Sequence, residues 1–387
     1  MPADTRARLI TVTHEFYPHK GGIAVYTAEM AAAAASLGYA VEVWAPALPP
    51  GQTEPEWPFM VHRLKIDGSH SLLSQWKMAW AINRERQKCR DAVLYVPEPG
   101  PLLALLLLQF FDTLPPGRLV LTLHGSEILK LALRTFTRWS ARRLFQRADR
   151  ISVVSRYAEK LLLDLFPNVA GKTVLTPGAL RQRFVSAGSR AAKVAGSEDK
   201  LVILTVARLH PRKGQLRIIE ALRALPSVQR ARLEYWLVGS HGKEGYEPIL
   251  RAAAAEAGFP VKFLGDVPDD QLGPIYAQAD IFAMTSMSHK LSVEGFGLVY
   301  LEAGAHALPV IAHEIGGVPE AVVSEETGLL VSPDDLSALT AAFARLIADP
   351  ALRQRLGEAG RARALARDWR DAALTLFGPP PTPLPKP

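Results

Sequence analysis

Short apolar runs recur along the whole chain, each followed by a longer stretch with helical spacing. In the first half Leu9–Thr13, Ala40–Ala45, Val61–Leu64, Ala92–Val96, Leu119–Leu123, Ile151–Val154 and Thr173–Leu175 read as strands. The pattern restarts with Leu201–Val206, Leu233–Val238, Val261–Leu264, Ile281–Met284, Pro309–Ala312 and Leu329–Val331. Strands alternating with helices pair in parallel, which makes the expected class α/β with doubly wound parallel sheets. At 387 residues the chain is too long for one ordinary domain of this kind. The break is expected at Ser186–Lys200, which is small and polar and has no apolar period. It separates a domain over 1–190 from one over 191–365. A short helix over 366–377 and a Pro-rich tail over 378–387, expected to be disordered, follow.

Hydrophobic residues make up 48% of the chain and charged ones 21%, values of a globular enzyme rather than a disordered segment. Cys89 is the only cysteine, so no intramolecular disulfide forms, and a reducing, cytoplasmic setting is expected. Leu9–Thr13 is too short for a secretory signal. Leu102–Phe111 is the most apolar run, but a bilayer span needs roughly 20 residues, so it reads as a buried helix. The formal charge of +7 favours an acidic partner. No nucleic-acid recognition motif is present, which leaves a phosphorylated substrate or an anionic membrane. Lys130, Arg134, Arg138, Arg142 and Arg147 line a long helix running from Ile128 to Arg147, near Trp139, Trp76 and Trp80. That pattern fits contact with anionic lipid on the inner face of the plasma membrane. It fits better a solvated face over an apolar side packed on the sheet.

Open α/β sheets bind ligands past the carboxyl ends of their strands, and the unusual residues of this chain collect there. Glu294-Gly-Phe-Gly-Leu-Val-Tyr-Leu-Glu302 places two acids around a turn and the start of an apolar helix. Glu294 is expected on a loop, because Gly295 and Gly297 are poor helix formers. Glu302 lies one turn below Leu298 on the same helix face. The unpaired N–H groups at that helix start make an anion site. Arg208 and Lys213 flank a turn before another helix start, where the helix dipole disfavours cations, and a bound phosphate would resolve the conflict. Arg212, beside them, reads as solvated. Gly21-Gly22 stands before a helix, either as a phosphate-approach loop or as a plain turn, and His124 ends a strand facing the same crevice. No metal is expected, since no Asp-x-Asp or clustered His/Asp set lies nearby.

Taken together and in order, these segments resemble the retaining glycosyltransferases of family 4, the group 1 glycosyltransferases with their Glu-x7-Glu motif. The resemblance rests on Phe16-Tyr17-Pro18, Gly21-Gly22, His124-Gly125-Ser126-Glu127, Arg208 with Lys213-Gly214, Asp280–Ser286 and the Glu294 segment. It implies a GT-B fold, two Rossmann-like doubly wound domains facing a central cleft, with the acceptor side in the first and the donor side in the second. It also implies that the helix over 366–377 returns to the first domain. The implied reaction moves a hexose from a UDP or GDP sugar to a glycan or lipid-linked acceptor without a cofactor. Arg208 and Lys213 would stabilise the departing diphosphate, with Gly21 and Gly22 adding backbone donors. Glu294 and the backbone of Gly295, Phe296, Gly297 and Leu298 would hold the sugar, and His124 would position it. Glu302 would take the ribose hydroxyls, and the base would rest near Leu264–Val267. The pattern departs at Pro177-Gly178-Ala179-Leu180 and at Ala305-His306-Ala307. A GT-B epimerase or a non-catalytic nucleotide-sugar binder are the rival readings.

Overall fold

The computed structural model describes residues 6–67, 71–111, 117–185, 200–242 and 245–380; apart from Lys200 the expected linker lies outside these, as does the tail beyond Pro380. The chain divides into two compact units, Met1–Gly178 with Asp368–Pro387 and Ala179–Arg367. The first holds a seven-stranded sheet of β1 (Arg8–Val12), β2 (Ala40–Pro46), β3 (Met60–Leu64), β4 (Ala92–Val96), β5 (Arg118–Leu123), β6 (Arg150–Val153) and β7 (Thr173–Leu175). Every pairing is parallel, in the order β3-β2-β1-β4-β5-β6-β7. The chain winds outward from β1 and then returns to β4, so the order reverses between these two strands. The crevice for a ligand opens at such a reversal. The core lies where the inner strands meet the apolar sides of Leu72–Arg84, Pro99–Leu108 and Thr135–Arg147.

The terminal helix Trp369–Phe377 packs within this unit. Trp369 meets the Tyr26 ring edge-on at 5.1 Å and Phe377 meets Tyr95 at 5.1 Å. Its last carbonyls, which have no partner inside the helix, accept from guanidinium groups of the sheet: Arg150 donates to Thr375 at 2.7 Å and Arg118 to Phe377 at 3.2 Å.

The second unit has six parallel strands: β8 (Leu201–Val206), β9 (Leu233–Val238), β10 (Val261–Gly265), β11 (Ile281–Met284), β12 (Val310–His313) and β13 (Gly328–Val331). Their order is β10-β9-β8-β11-β12-β13, with the reversal between β8 and β11. The helix Leu298–Ala305 lies hard against Pro350–Leu365 because both carry glycine at the crossing. A methyl group on Gly357 would sit 2.0 Å from the Ala307 carbonyl, and one on Gly304 would sit 2.8 Å from that of Gly360.

The long basic helix expected over Ile128–Arg147 is two helices, Ser126–Ala132 and Thr135–Arg147. β-Branched Thr135 and Thr137 favour a break. The Thr137 hydroxyl takes the Leu131 and Arg134 carbonyls, each at 3.0 Å. The two helices thereby bury separate apolar sets, Ile128 and Leu131 in the first and Ala141, Leu144 and Phe145 in the second.

Glu98 ties the reversal point of the first sheet together. It caps Pro99–Leu108, its carboxyl accepting from Gly100 N–H at 2.5 Å and from His14 N–H, just past β1, at 2.7 Å. Burial pushes this carboxyl up to about 8; the two N–H groups oppose that rise, and the charges of Glu15 and Glu127 add to it. The folded state therefore keeps a proton that the unfolded chain releases near its ordinary value of 4.5. This group's contribution to stability is full below that value and is lost as pH rises toward 8. Glu98→Gln should cost about 1–3 kcal/mol at low pH, because an amide NH2 replaces one acceptor. The difference between variant and wild-type Tm should then shift in the variant's favour from pH 5 to pH 8. A constant difference would show that Glu98 does not titrate in that window.

Candidate functional site

At the reversal point of the second sheet, loops after β8 and β11 converge on one acid. Past β8 the chain makes a short turn, Pro211–Lys213, closed by Gly214 in the left-handed region at φ 73°. A side chain at Gly214 would collide with the Thr285 carbonyl, 2.0 Å from the Cβ position. Only glycine lets this turn seat against the end of β11, where Thr285 Oγ1 donates to the Gly214 carbonyl at 2.9 Å. The seating brings Lys213 Nζ within 2.7 Å of Glu294 Oε2 and Arg212 within 2.8 Å of the same oxygen. Ser286 Oγ donates to it at 2.8 Å, and Ser286 is steadied in turn by His313, whose Nδ1 donates to its carbonyl at 3.1 Å. Burial alone would raise the Glu294 carboxyl, yet Lys213 and Arg212 pull it down to about 2. Burial lowers the Lys213 ammonium and the Glu294 charge opposes that shift.

The backbone of Glu294 is held as firmly. Its carbonyl accepts from Gly317 N–H at 2.9 Å, and a Cβ on Gly316 would lie 2.3 Å from that same oxygen. Phe296 is buried beneath the Arg367 guanidinium at 5.1 Å. Gly297 starts the helix Leu298–Ala305 at φ 90°, with the Tyr300 ring 2.5 Å from where a Cβ would stand. Gly295, Gly297 and Leu298 are half-buried, so the free N–H groups at this helix start reach the surface beside the Glu294 cluster. Glu302 is buried one turn on, with Oε1 paired to Arg181 at 2.8 Å and Oε2 accepting from Tyr276 at 3.0 Å. Arg181 also reaches Asp269 at 3.0 Å. Burial weakens its charge, but Glu302 and Asp269 together hold the guanidinium above its ordinary value. Arg208 is exposed, with Lys213 feeling its charge. Leu264 and Val267 sit at and just past the end of the edge strand β10, Leu264 exposed and Val267 half-buried.

In the first unit, Gly21 and Gly22 are exposed at the start of the helix Gly22–Ser36, with open space where their side chains would stand. His124 ends β5 half-buried, its Nε2 2.8 Å from the Pro97 carbonyl and its ring edge-on to Tyr26 at 5.4 Å. Its backbone N–H donates to Glu127, and Glu98 stands near by on the Pro97 loop. Among the described residues no cluster of three or more His, Cys, Asp or Glu is arranged to hold a metal ion. None of the described helices is long and apolar enough to cross a membrane.

The structure thus joins Lys213, Glu294 and the Gly295–Leu298 turn in one cluster, with Arg208 and Glu302 beside it. It corrects the reading of Arg212, which is a direct partner of Glu294 rather than a solvated side chain, because the turn before Gly214 aims residues 212 and 213 at the same oxygen. Glu98 and Arg181 went unrecognised in the sequence. A signal for Glu98 exists, an acid between two prolines directly after a buried strand; Arg181 carries none.

Two family models cover most of the chain: Glycosyl transferases group 1 over residues 190–363 and Glycosyl transferase 4-like domain over residues 21–179. The GDP-mannose-dependent alpha-(1-6)-phosphatidylinositol monomannoside mannosyltransferase of Mycolicibacterium smegmatis is 36% identical over 267 residues, spanning 67% of this chain and 69% of that protein. The protein of the same name from Mycobacterium tuberculosis H37Rv is 28% identical over 399 residues, spanning 94% and 95%. In fold, the sucrose-phosphate synthase of Thermosynechococcus elongatus superposes with a TM-score of 0.78 at 23% identity, over 95% of this chain and 97% of that one. The chain belongs to the group 1 glycosyltransferases, the retaining family 4 enzymes built on the GT-B pair of doubly wound domains.

Proposed function

We propose that this enzyme moves a mannosyl residue from GDP-mannose to a mannoside of an inositol phospholipid, with retention at the anomeric carbon. The observation that carries this reading is the Glu294 carboxylate, kept ionised by Lys213 and Arg212 beside the free N–H groups of Gly295–Leu298. Such a site offers cations for a diphosphate and acceptors for sugar hydroxyls within one turn of chain. The names of the mycobacterial relatives supply the donor and acceptor.

In the proposed reaction the bond from the sugar's C1 to the diphosphate oxygen breaks while the acceptor hydroxyl oxygen bonds C1 on the same face. The hydroxyl proton leaves with the departing phosphate oxygen. Negative charge grows on the diphosphate, and Lys213 and Arg208 stabilise it more in the transition state than in the ground state. Glu294 accepts from a sugar hydroxyl and fixes C1, and Glu302 accepts from the ribose. The base rests against Leu264 and Val267. Taken by itself, the first unit offers N–H donors for an anion at the helix start of Gly21 and Gly22 and a half-buried imidazole at His124.

Thermal-shift measurements should show GDP and GDP-mannose stabilising the protein and UDP-sugars doing so less. Stabilisation by UDP-glucose alone would overturn the choice of donor, and no response to any nucleotide sugar would overturn the whole reading. Lys213→Ala and Glu294→Gln should each lower mannosyl transfer by about 100-fold or more, as loss of a transition-state contact does.

Acid titration gives an independent check on the cluster. The depressed Glu294 carboxyl contributes stability above its ordinary value of 4.5, and that contribution is lost as pH falls toward 2. In Lys213→Ala the carboxyl rises, so less of that stability remains to be lost and the acid-induced fall in Tm should be shallower than in wild type. An unchanged acid limb would show that Lys213 does not govern this carboxyl.

A further inference from the structure

We propose that the first unit carries a face that docks on an anionic lipid bilayer, formed by the helices Leu72–Arg84 and Thr135–Arg147 with Phe110 and Phe111 between them. The inference does not depend on the donor site and concerns a different surface. Both helices have already buried one apolar side: Met78, Ala79 and Ile82 in the first, Ala141, Leu144 and Phe145 in the second. Each nevertheless carries a second apolar side in water. Trp76, Trp80, Phe110, Phe111, Phe136 and Trp139 are 53, 62, 44, 63, 65 and 51% exposed. Folding the unit does not require them there.

These rings are continuous rather than scattered. Trp76 meets Phe111 at 6.3 Å, Phe110 stacks on Phe136 at 5.6 Å with planes 9° apart, and Phe136 meets Trp139 at 6.1 Å. Leu72 and Leu133 extend the surface, at 76 and 63% exposure. A contiguous exposed apolar patch on a soluble domain marks an interaction site, whereas single exposed apolar residues do not.

The charges around the rings select the occupant. Lys77, Arg84, Arg134, Arg138, Arg142 and Arg143 are exposed on the same two helices, with Arg134 at the start of the second, and neither helix contains an Asp or Glu. Arg84 lies over the Trp80 ring at 5.3 Å. Two copies of this face would bring cations against cations, which disfavours self-association. Tryptophan and phenylalanine rings that settle at headgroup depth, flanked by six basic side chains against the single acid Glu85 that caps the first helix beside Arg84, match an anionic bilayer surface. Each basic residue near such a surface adds attraction that salt screens.

Co-sedimentation with vesicles of pure phosphatidylcholine and of phosphatidylcholine with 30% phosphatidylglycerol tests the inference on the full chain. Wild type should bind the anionic vesicles at least ten-fold more tightly than the neutral ones, and brominated acyl chains should quench its tryptophan emission. Trp76→Ala with Trp139→Ala, and separately Arg142→Gln with Arg143→Gln, should each weaken binding ten-fold or more. Both pairs should leave Tm and the stabilisation by GDP-mannose unchanged, which separates this surface from the donor site. Equal binding to both vesicle types, binding that survives both double variants, or a dimer in ultracentrifugation that the tryptophan variants dissociate would each overturn the proposal.

Discussion

A carboxylate taken out of water must be met by fixed charges and donors, and Glu294 draws these from several loops of the second sheet. Arg212 and Lys213 come from the segment after β8 and Ser286 from the end of β11, while the N–H group of Gly317, in the segment after β12, holds the backbone carbonyl of the same residue. An isolated buried charge costs several kcal/mol or more, so each loop is held in place by the need to satisfy this one group. The glycines follow from the same demand. Gly214 allows the cation turn to touch β11, and Gly316 allows its own turn to touch the Glu294 backbone. What reads along the chain as a set of separate motifs is in space one solvation shell. A polar group arriving there would meet partners whose positions are already fixed, the arrangement that electrostatic catalysis requires.

The first sheet places an acid at the same topological point and arrives at the opposite protonation state. Glu98 is nearly as enclosed as any core residue, but its donors are two backbone N–H groups and its charged neighbours are acids. Burial therefore dominates, and the carboxyl rises to about 8 where Glu294 falls to about 2. Two carboxyls at the reversal points of two similar sheets differ because one was given cations and the other was not. Glu98 serves the fold by joining the segment after β1 to the helix after β4, and it brings order to the loop that leads toward Gly21. Its neighbour His124 is positioned from the same side, by the Pro97 carbonyl.

The strand-helix alternation was legible because a parallel strand buried on both faces has to be apolar along its length, and Ile281–Met284 or Ala92–Val96 admit few other readings. The Glu294 cluster was legible in part. Lys213 and the two glycines around Phe296 stand at positions where local preference is violated, and such violations point to function. Arg212 was not legible, since nothing in Pro211-Arg-Lys-Gly214 says that both adjacent cations turn inward. That is decided by the left-handed Gly214, seated against the Thr285 carbonyl and bonded to the Thr285 hydroxyl 71 residues along the chain. The break before Thr135 was hidden for a related reason. The helical period continues through Leu133, and only the Thr137 hydroxyl competing for the Leu131 carbonyl ends the first helix. Arg181 was invisible because its partners, Glu302 and Asp269, are distant in sequence and share no pattern with it.

Glu302 shows how far the two acids of one motif diverge once packed. Eight positions separate it from Glu294, but its cation is a single guanidinium and its second oxygen takes a phenol. The Tyr276 ring that supplies the phenol lies parallel to His306 at 5.3 Å, and burial lowers that imidazole to about 4, which keeps it uncharged near neutrality. A guanidinium offers its donors in a rigid plane, so it fixes the direction of the Glu302 carboxylate more narrowly than an ammonium would. Glu294 is held partly by the compact Lys213 ammonium, a cation that an incoming anion is able to share. Glu302, held by Arg181 and Tyr276, keeps an orientation. The two acids thus offer different things, a cation pair that another anion is able to share beside Glu294 and, at Glu302, an acceptor that does not turn.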